Sequence, residues 1–305
     1  MQLRYLEYFA AVARERHFGR AAHACHVAQP TLSAGIVALE EMLGRQLILR
    51  DRRFLDLTPE GYAVLPFAQQ MIADHAAMRA AIDSGTGPLR GTLRLGVIPA
   101  AMPCVGHLLA RISTLQPMLK VAIRSMTSRE IESGLVAHDL DAGITYLSSE
   151  PPAQVRSVPL YQERFLFATR RAGIFAGRAT VSMAEATAQP LCLLHHGMQN
   201  RRILDAVLEQ RQIEAEPVAT ADSYVALFAM VAYGGVDAIV TDSHRSLVEA
   251  HPEILLIDFD DPPPANQIGL VIPSRDPASP LSRVAALAAQ QLTIDNIDYK
   301  SANPI

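Results

Sequence analysis

Between residues 92 and 273 the sequence contains eight short apolar segments that are typical of buried strands. In chain order they read TLRLGVI, KVAIRSM, DAGITYL, RFLFATR, LCLLHH, DAIVTD, ILLIDF and IGLVIP. Helical patterns separate many of them, at 104–116, 128–137, 199–211 and 223–233. Because strands that alternate with helices build α/β domains, we predict a mostly parallel sheet with helices packed around it for this part of the chain.

The length of 305 residues allows more than one hydrophobic core. The segment SGTGP at 84–88 has two glycines and a proline, which marks a linker or hinge ahead of the first predicted strand. The net charge of −4 gives no overall basic signal for nucleic acid. Lys120 and Lys300 are the only lysines, and this preference for arginine fits either phosphate and guanine recognition or a GC-rich coding sequence.

Several functional classes are excluded by the distribution of charges and cysteines. The first 18 residues carry charged side chains among the apolar ones: Arg4, Glu7, Arg14 and Glu15. These charges exclude a signal peptide, and no apolar run approaches the length of a membrane span, so we expect a cytoplasmic protein without membrane contact. The three cysteines, Cys25, Cys104 and Cys192, lie far apart and suit a reducing compartment without a disulfide framework.

The first sixty residues predict three helices followed by a β-hairpin. Apolar spacing indicates helices over 3–14 and 19–25, and a third within VAQPTLSAGIVALEEMLG at 27–44, which ends at Gly44. The segment QLILRDRRFLDLT then predicts two short strands around a charged turn. Three helices and a hairpin in this order form the winged helix-turn-helix pattern.

The start of the third predicted helix has the residue types that a DNA-reading helix needs. Such a helix enters the major groove N-terminus first, so small polar groups and free backbone amides must lie in its first turn. Gln29 can bind adenine through two hydrogen bonds, and the methyl group of Ala34 can contact thymine. Pro30 gives up no helix bond there, while Thr31 and Ser33 are short donors. Phosphate contacts are predicted for Arg20, Arg50, Arg52 and Arg53.

Each of these features also has a purely structural interpretation. A Gln-Pro-Thr start is a common helix cap when it is considered alone, and adjacent arginines in a hairpin commonly form a solvated turn. The prediction of DNA binding therefore depends on the whole arrangement.

Residues 1–61 resemble the N-terminal domain of the LysR-type transcriptional regulators. The resemblance rests on LRYLEYFAAVARERHFGRAA, on HVAQPTLSAGIVALEEMLGRQLILR and on LTPEG at 57–61. In addition, GTLRLGVIP at 91–99 resembles the first strand of that family's effector domain. The basic or amide side chains that the family commonly carries in the third helix are absent at Ala34, Gly35, Val37 and Ala38.

The resemblance implies a fold class and a set of partners. The fold is α/β, with an N-terminal winged helix-turn-helix, a long linker helix and a two-lobed, periplasmic-binding-protein-like (type 2) effector domain. The implied partners are double-stranded pseudo-palindromic promoter DNA, a small-molecule effector and RNA polymerase, with the chain acting as a homodimer or homotetramer. Whether the protein activates, represses or does both stays open.

We divide the chain accordingly into 1–58 for DNA binding, 59–90 for the linker helix and hinge, 91–295 for effector binding, and a tail at 296–305. One lobe would contain 91–162 and 267–295, and the other 163–266. The linker helix is predicted to start at Thr58–Pro59 and to kink at Pro66. Its apolar stripe would pair with a second copy or pack on its own effector domain: Tyr62, Leu65, Ala68, Gln69, Ile72 and His75 or Ala76.

The resemblance also places an effector site in the cleft between the lobes, at strand ends and helix starts. The predicted lining is Pro99, Ala100, Ala101, Met102, Thr127, Ser128, Thr145, Tyr146, Gly197, Gln199, Asn200, Thr220 and Ser223. Hydroxyl and amide groups at helix N-termini suit a small carboxylate or another anion, although each hydroxyl singly fits a plain N-cap.

Two positions depart from the family's effector site. Ala100 stands where many members have Ser or Thr, and Gln199 lies near the reactive cysteine of the peroxide-sensing branch, which argues against thiol-based sensing there.

We expect no cofactor and no metal. His195 and His196 are adjacent on a strand end, so their side chains point to opposite faces and seldom share a metal with Cys192. An enzyme on a two-lobed fold is the main alternative, yet the sequence has no nucleophile elbow, P-loop or zinc motif. A solute-binding protein is disfavoured by the charged N-terminus and the first sixty residues.

Overall fold

The computed structural model describes residues 2–50, 54–84, 89–249 and 251–292, with the backbone alone at 50, 80, 81, 83 and 84. The chain divides into two compact units, Met1–Leu89 with Val136–Asp139, and Arg90–Leu135 with Leu140–Ile305. Within these described ranges, no helix combines the length and the apolar character that a membrane crossing requires.

Three helices form the core of the first unit, as their apolar spacing predicts. They are α1 (Leu3–Glu15), α2 (Phe18–Ala24) and α3 (Gln29–Leu43). Phe9 of α1 and Leu32 and Ile36 of α3 are completely buried in one apolar cluster. The third helix ends at Gly44, whose φ of 65° is the left-handed conformation that glycine adopts without strain.

A hairpin and a long helix complete the first unit. Strands β1 (Ile48–Arg50) and β2 (Phe54–Leu57) pair antiparallel, and α4 (Pro59–Ser84) continues through Pro66. The predicted cap at Thr58 is confirmed: its hydroxyl accepts the Gly61 N–H at 2.9 Å and donates to the Gln46 carbonyl at 2.7 Å.

The second unit contains two sheets, each with its own helices, and we call them the first and second lobes. The first lobe has sheet order β4-β3-β5-β13-β6. Its strands are β3 (Gly91–Val97), β4 (Leu119–Ser125), β5 (Ala142–Tyr146), β6 (Val155–Glu163) and β13 (Asn266–Pro273). Its helices are a 3-10 helix at Pro99–Cys104, α5 (Val105–Leu115), α6 (Ser128–Val136) and α11 (Pro280–Gln290).

The second lobe has sheet order β10-β9-β11-β7-β12-β8. Its strands are β7 (Phe165–Arg170), β8 (Thr180–Val181), β9 (Leu191–Leu194), β10 (Ala219–Ala221), β11 (Asp237–Thr241) and β12 (Ile254–Phe259). Its helices are α7 (Met183–Thr187), α8 (Gln199–Gln210), α9 (Tyr224–Tyr233), a 3-10 helix at Asp242–His244 and α10 (Arg245–Val248). The chain passes between the sheets at Arg164 and again between residues 260 and 265.

Parallel pairing predominates as predicted, but only narrowly: five of the nine pairings between described strands of the two lobes are parallel, and each lobe has a mixed sheet. Strand β13 pairs antiparallel with β5 and β6, and β7 pairs antiparallel with β11 and β12. Both β7 and β13 receive the chain directly from the other sheet, without the helical crossover that parallel neighbours need. All eight predicted segments contain strands, whereas β6, β8 and β10 escaped prediction; β6 contains Pro159, and β8 and β10 are two and three residues long.

Candidate functional site

The first turn of α3 lies on the surface of the first unit. Gln29, Pro30 and Thr31 are exposed, Ser33 is half-buried and Ala34 is exposed. Within the described part of the chain, no side chain caps this helix, which begins after Ala28 in extended conformation. The first-turn amides of the backbone are therefore available to an anionic partner, as DNA reading requires.

Of the four positions where α3 lacks the family's basic or amide side chains, three reach the surface and one is buried. Ala34 and Val37 are exposed and Ala38 is half-buried, but Gly35 is buried. A Cβ atom at position 35 would lie 2.6 Å from Cδ2 of Tyr8 in α1. The departure from the family at Gly35 therefore serves the packing of α3 on α1 and is not part of the exposed face of the helix.

The predicted phosphate-binding arginines divide into one described side chain and three that lie outside the description. The Arg20 side chain is exposed, and its Nη2 donates to the Glu15 carbonyl at 2.5 Å. A phosphate contact by Arg20 would have to compete with this bond. Arg50 ends β1 with only its backbone described, and Arg52 and Arg53 lie outside the described residues.

The hairpin is held in place by buried polar contacts. Glu40 of α3 accepts the Leu47 and Ile48 N–H groups at 2.9 and 3.2 Å through Oε1. Position 61 needs glycine, because an added Cβ would lie only 2.1 Å from the Leu47 carbonyl oxygen. The same helix that presents Gln29 thus fixes the base of the hairpin.

A small cavity lies between the two lobes of the second unit, in the region where the effector site is predicted. Seven predicted residues line it, together with Ile98, Leu194 and Met198: Pro99, Ala100, Thr127, Ser128, Tyr146, Gln199 and Asn200. Its volume of about 10 Å³ is room for a single water molecule.

The other six predicted effector residues lie outside this lining. Ala101 and Thr145 are buried, and Gly197 donates its N–H to His195 Nδ1 at 3.0 Å. Thr220 is exposed on β10, while Met102 and Ser223 line a separate, larger groove.

Tyr146 connects the lobes at the floor of the cavity. Its hydroxyl donates to Oε1 of Glu163 at 2.5 Å and accepts the side-chain amide of Asn200 in α8 at 2.8 Å. Burial raises the pKa of Glu163 to about 8, even though the hydrogen bond from Tyr146 opposes this shift. Glu163 is therefore mainly protonated and uncharged at neutral pH.

Three further polar contacts join the lobes around the cavity. The Gln199 side-chain amide donates to the Ser149 carbonyl, and Arg202 forms an ion pair with Glu150 at 2.5 Å. The Ser243 hydroxyl donates to the Ala100 carbonyl at 2.8 Å. We call these three contacts and the Tyr146–Asn200 bond the cleft latch.

The two helix starts at the cavity differ in their capping. At α6, Glu130 accepts both the backbone N–H and the hydroxyl of Thr127, at 2.7 and 2.9 Å. Thr127 is thus used as a cap, which is the structural interpretation of that residue. At α8, by contrast, the described N-cap residue Met198 provides no side-chain cap.

Sequence comparisons now identify the family. Residues 3–62 match the model for the bacterial regulatory helix-turn-helix protein, lysR family, and residues 86–292 match the model for the LysR substrate binding domain. The chain is a LysR-type transcriptional regulator.

Two curated relatives and one solved structure show the extent of the similarity. A probable hydrogen peroxide-inducible genes activator of Mycobacterium avium is 34% identical over 271 residues, which are 88% of this chain and 87% of the relative. The DNA-binding transcriptional dual regulator OxyR of Escherichia coli K12 is 29% identical over 290 residues, 94% of each chain. A full-length cysteine-to-aspartate variant of OxyR from Pseudomonas aeruginosa superposes with a TM-score of 0.75 at 27% identity, covering 96% of this chain and 99% of that one.

Membership in this family sets aside the enzyme interpretation, since the relatives are transcriptional regulators.

The three cysteines differ in burial, which matters because curated relatives are named hydrogen peroxide-inducible genes activators. Cys104 and Cys192 are completely buried, and burial raises their pKa to about 12 and about 11. Cys25 lies half-buried in the first unit. Buried thiols with raised pKa values are poorly reactive, because the thiolate is the reactive form.

Sequence reasoning missed Glu150, Arg202 and Ser243, which join the lobes, and Glu163, which is hydrogen-bonded to Tyr146 within the first lobe. Glu163 ends a strand that was not predicted, so its alternation of buried and exposed positions was the only available signal. Glu150 and Ser243 lie in connections whose course depends on the pairing of distant strands. Arg202 lies in a predicted helix, but its partner is 52 residues away.

Proposed function

We propose that this LysR-type regulator reads a pseudo-palindromic promoter site through the first turn of α3, with one copy of the chain on each half-site. The observation that supports this proposal is the exposed, uncapped helix start at Gln29–Thr31, which rests on a rigid apolar core. Two identical helix starts would fix the half-site spacing near a whole number of turns. RNA polymerase is the partner through which bound regulator would change transcription.

The pairing surface that we propose lies on α4, but on a different stripe from the one predicted. Leu65, Ala68 and Ile72 pack on the core of their own unit. A neighbouring stripe is left exposed and apolar: Phe67, Met71, Met78 and Ile82. Pairing of this stripe with its copy would bury it in a homodimer, and two dimers would form the homotetramer.

Fluorescence anisotropy with DNA from the gene's own upstream region tests whether the first turn of α3 reads the base sequence. We expect Gln29→Ala and Thr31→Ala each to weaken specific binding by about 1–3 kcal/mol, with little change against a shuffled duplex. Met42→Ala is the matched control, since Met42 is exposed at the far end of the same helix. Equal losses on specific and shuffled DNA would contradict base reading by this turn.

We further propose that the cleft binds a small carboxylate or another small anion. The support lies at the uncapped start of α8, where backbone amides and the Asn200 side chain meet Ser128 from the first lobe. Because the closed cavity holds only about one water, the lobes must separate to admit such a ligand. The ligand would change DNA binding only if it prefers one lobe arrangement over the other.

Thermal-shift screening of small organic acids against the full chain tests the anion proposal. A true effector should raise the unfolding temperature, alter the promoter footprint, and lose affinity in Ser128→Ala. Thr220→Ala serves as the control, because Thr220 is exposed away from the cavity. A screen in which no acid changes stability or footprint argues against this site.

A peroxide response is the second candidate, because curated relatives are named hydrogen peroxide-inducible genes activators. It would require oxidation of one of the buried cysteines, Cys104 or Cys192, or of the half-buried Cys25. Footprints recorded with and without hydrogen peroxide, for the native chain and for each Cys→Ser variant, test it. A peroxide-dependent footprint that one of these variants abolishes would favour this candidate over the anion.

A further inference from the structure

Gly19 leaves an unfilled position in the first turn of α2, beside the first turn of α3. A Cβ atom at position 19 would lie 3.5 Å from Oε1 of Gln29, at ordinary van der Waals distance. The side-chain amide of Gln29 therefore lies next to the bare Cα atom of Gly19. Gln29 is exposed, and it is the residue of this turn that can bind adenine through two hydrogen bonds.

The backbone does not need glycine at position 19. Gly19 is the second residue of a regular helix, and it does not have the left-handed conformation that would exclude other side chains. Glycine is also a poorer helix former than alanine. The reason for glycine here is therefore the space that its missing side chain leaves free.

His17 borders the same space. A Cβ atom at position 19 would lie 3.1 Å from Cε1 and 3.3 Å from Nδ1 of His17. The imidazole is held in this place because its Nδ1 accepts the backbone N–H groups of Gly19 and Arg20, at 3.0 and 3.3 Å. A side chain at position 19 would thus meet a fixed ring as well as the amide of Gln29.

The packing of α2 on α3 fixes the distance between position 19 and Gln29. Ala21 and Ala22 of α2 and Leu32 of α3 are buried in one apolar cluster. Because the two helices cannot separate without opening this cluster, a larger residue at position 19 must displace the side chain of Gln29, the ring of His17, or both.

We propose that Gly19 is a positioning residue for base reading, because its missing side chain forms a seat in which the Gln29 side chain rests before DNA binds. The seat limits the rotamers of Gln29, so less side-chain entropy is lost when the amide binds a base. This inference rests on the base reading proposed for the first turn of α3. It makes position 19 a determinant of sequence preference, although glycine has no side chain with which to contact a base.

Fluorescence anisotropy of the full chain, on the duplex from the gene's own upstream region and on a shuffled duplex, tests the proposal. Gly19→Val adds two γ-carbons about 1.5 Å beyond Cβ. We expect its affinity for the upstream duplex to fall by about threefold to tenfold, as for the loss of one pre-ordered side chain, without change on the shuffled duplex. Gly19→Ala, whose Cβ would only touch Gln29, should have a smaller effect in the same direction. Gly106→Ala is the matched control, since open space surrounds that position in the second unit.

A double-mutant cycle separates positioning from a structural role. In a Gln29→Ala chain the seat has no occupant, so Gly19→Val should cause no further loss of affinity for the upstream duplex. Damage to the His17 cap or to the fold would instead weaken binding to both duplexes, and it would persist in the Gln29→Ala chain. Thermal unfolding of each variant measures such damage directly.

Three results would overturn the proposal. The first is native affinity for the upstream duplex in both Gly19→Val and Gly19→Ala, with Gln29→Ala weakened, which would refute the inference alone. The second is a loss in Gly19→Val that is equally large with and without the Gln29 side chain, which would assign Gly19 to the cap of α2. The third is a native preference for the upstream duplex in Gln29→Ala, which would refute base reading by Gln29 together with the inference.

Discussion

The helices α3 and α8 begin in similar ways but differ in the exposure of their first turns. Neither described N-cap residue, Ala28 or Met198, caps its helix through a side chain. The first turn of α3 is exposed, whereas Gln199, Asn200 and Arg201 of α8 are only 3–5% exposed. Under the two proposals above, the surface that reads DNA is always exposed, while the surface that binds the effector becomes accessible only when the lobes separate.

The two helix starts also differ in what holds them. Helix α3 is held from behind, by apolar side chains that pack on α1 and α2. Helix α8 also packs through Leu204 and Leu208 on the apolar core of its lobe, but its first turn is covered in addition by the cleft latch, whose contacts are polar. An exposed ion pair or a hydrogen bond contributes only about 0–1.5 kcal/mol, so the latch can open without unfolding either lobe.

The largest expected effect on stability is at Gly61, where α4 packs against the start of the hairpin. Gly61→Ala should lower the free energy of unfolding of the first unit by about 3 kcal/mol, because the new Cβ would collide with the Leu47 carbonyl oxygen. Denaturant unfolding measures this loss, and promoter affinity should fall with it. Gly106→Ala is the control in the second unit, since open space surrounds that position. Equal stability of the two variants would contradict this close contact between position 61 and Leu47.

The buried carboxyl group of Glu163 should make the free energy of unfolding depend on pH. The pKa of Glu163 is raised from 4.5 to about 8, so the folded state holds this proton more tightly and the free energy of unfolding falls as pH rises between these values. His244, whose pKa is lowered from 6.5 to about 3, has the opposite slope, but only below pH 6.5. Between pH 6.5 and 8 the free energy of unfolding of the native chain should fall by about 2 kcal/mol. The substitution Glu163→Gln should remove this decline.

Chemical denaturation at several pH values between 6.5 and 8 measures this slope. Glu185→Gln is the matched control, because its ion pair with Arg178 holds the pKa of Glu185 near 2 and the group is ionised throughout this range. A slope that is the same in Glu163→Gln and in the native chain would show that Glu163 is already ionised in the folded state.

The outer part of the latch should be weak. Arg202→Ala removes the ion pair with Glu150 and the bond to the Gly197 carbonyl, and should cost about 1 kcal/mol or less. Hydrogen exchange should nevertheless become faster at 197–202 and at 146–150, because these segments face each other across the opening. Exchange that accelerates in neither segment would argue that the latch does not hold the cleft closed.

The smallest expected effect concerns the predicted phosphate contact of Arg52. Arg52→Ala should reduce the slope of log affinity against log salt by about one unit if Arg52 contacts a phosphate. Promoter binding measured at four or more salt concentrations gives this slope. Glu41→Ala, at an exposed position of α3, should leave it unchanged or steeper, and an unchanged slope for Arg52→Ala would remove the hairpin from the interface.

Local features of the sequence were sufficient to predict most of the helices and strands. Periodic apolar residues predicted α1 and α3, and Thr58–Pro59 predicted the start of α4. The polar, exposed first turn at Gln29–Thr31 was also recognisable from neighbouring residues, and its role in reading DNA stays a prediction. The burial of Gly35 had no local signal, because it is decided by Tyr8 on another helix.

The amino-acid sequence by itself determined that this chain has a winged helix-turn-helix, a long helix and an α/β effector region, because helical periodicity, strand runs and caps are short-range properties. Only the tertiary structure decided the mixed sheets, the buried Glu163 and the latch that closes the cleft. These features depend on pairs such as Glu150–Arg202 and Ala100–Ser243, which are separated by 52 and 143 residues. Whether such residues meet is set by strand order and lobe crossing, which no local pattern encodes.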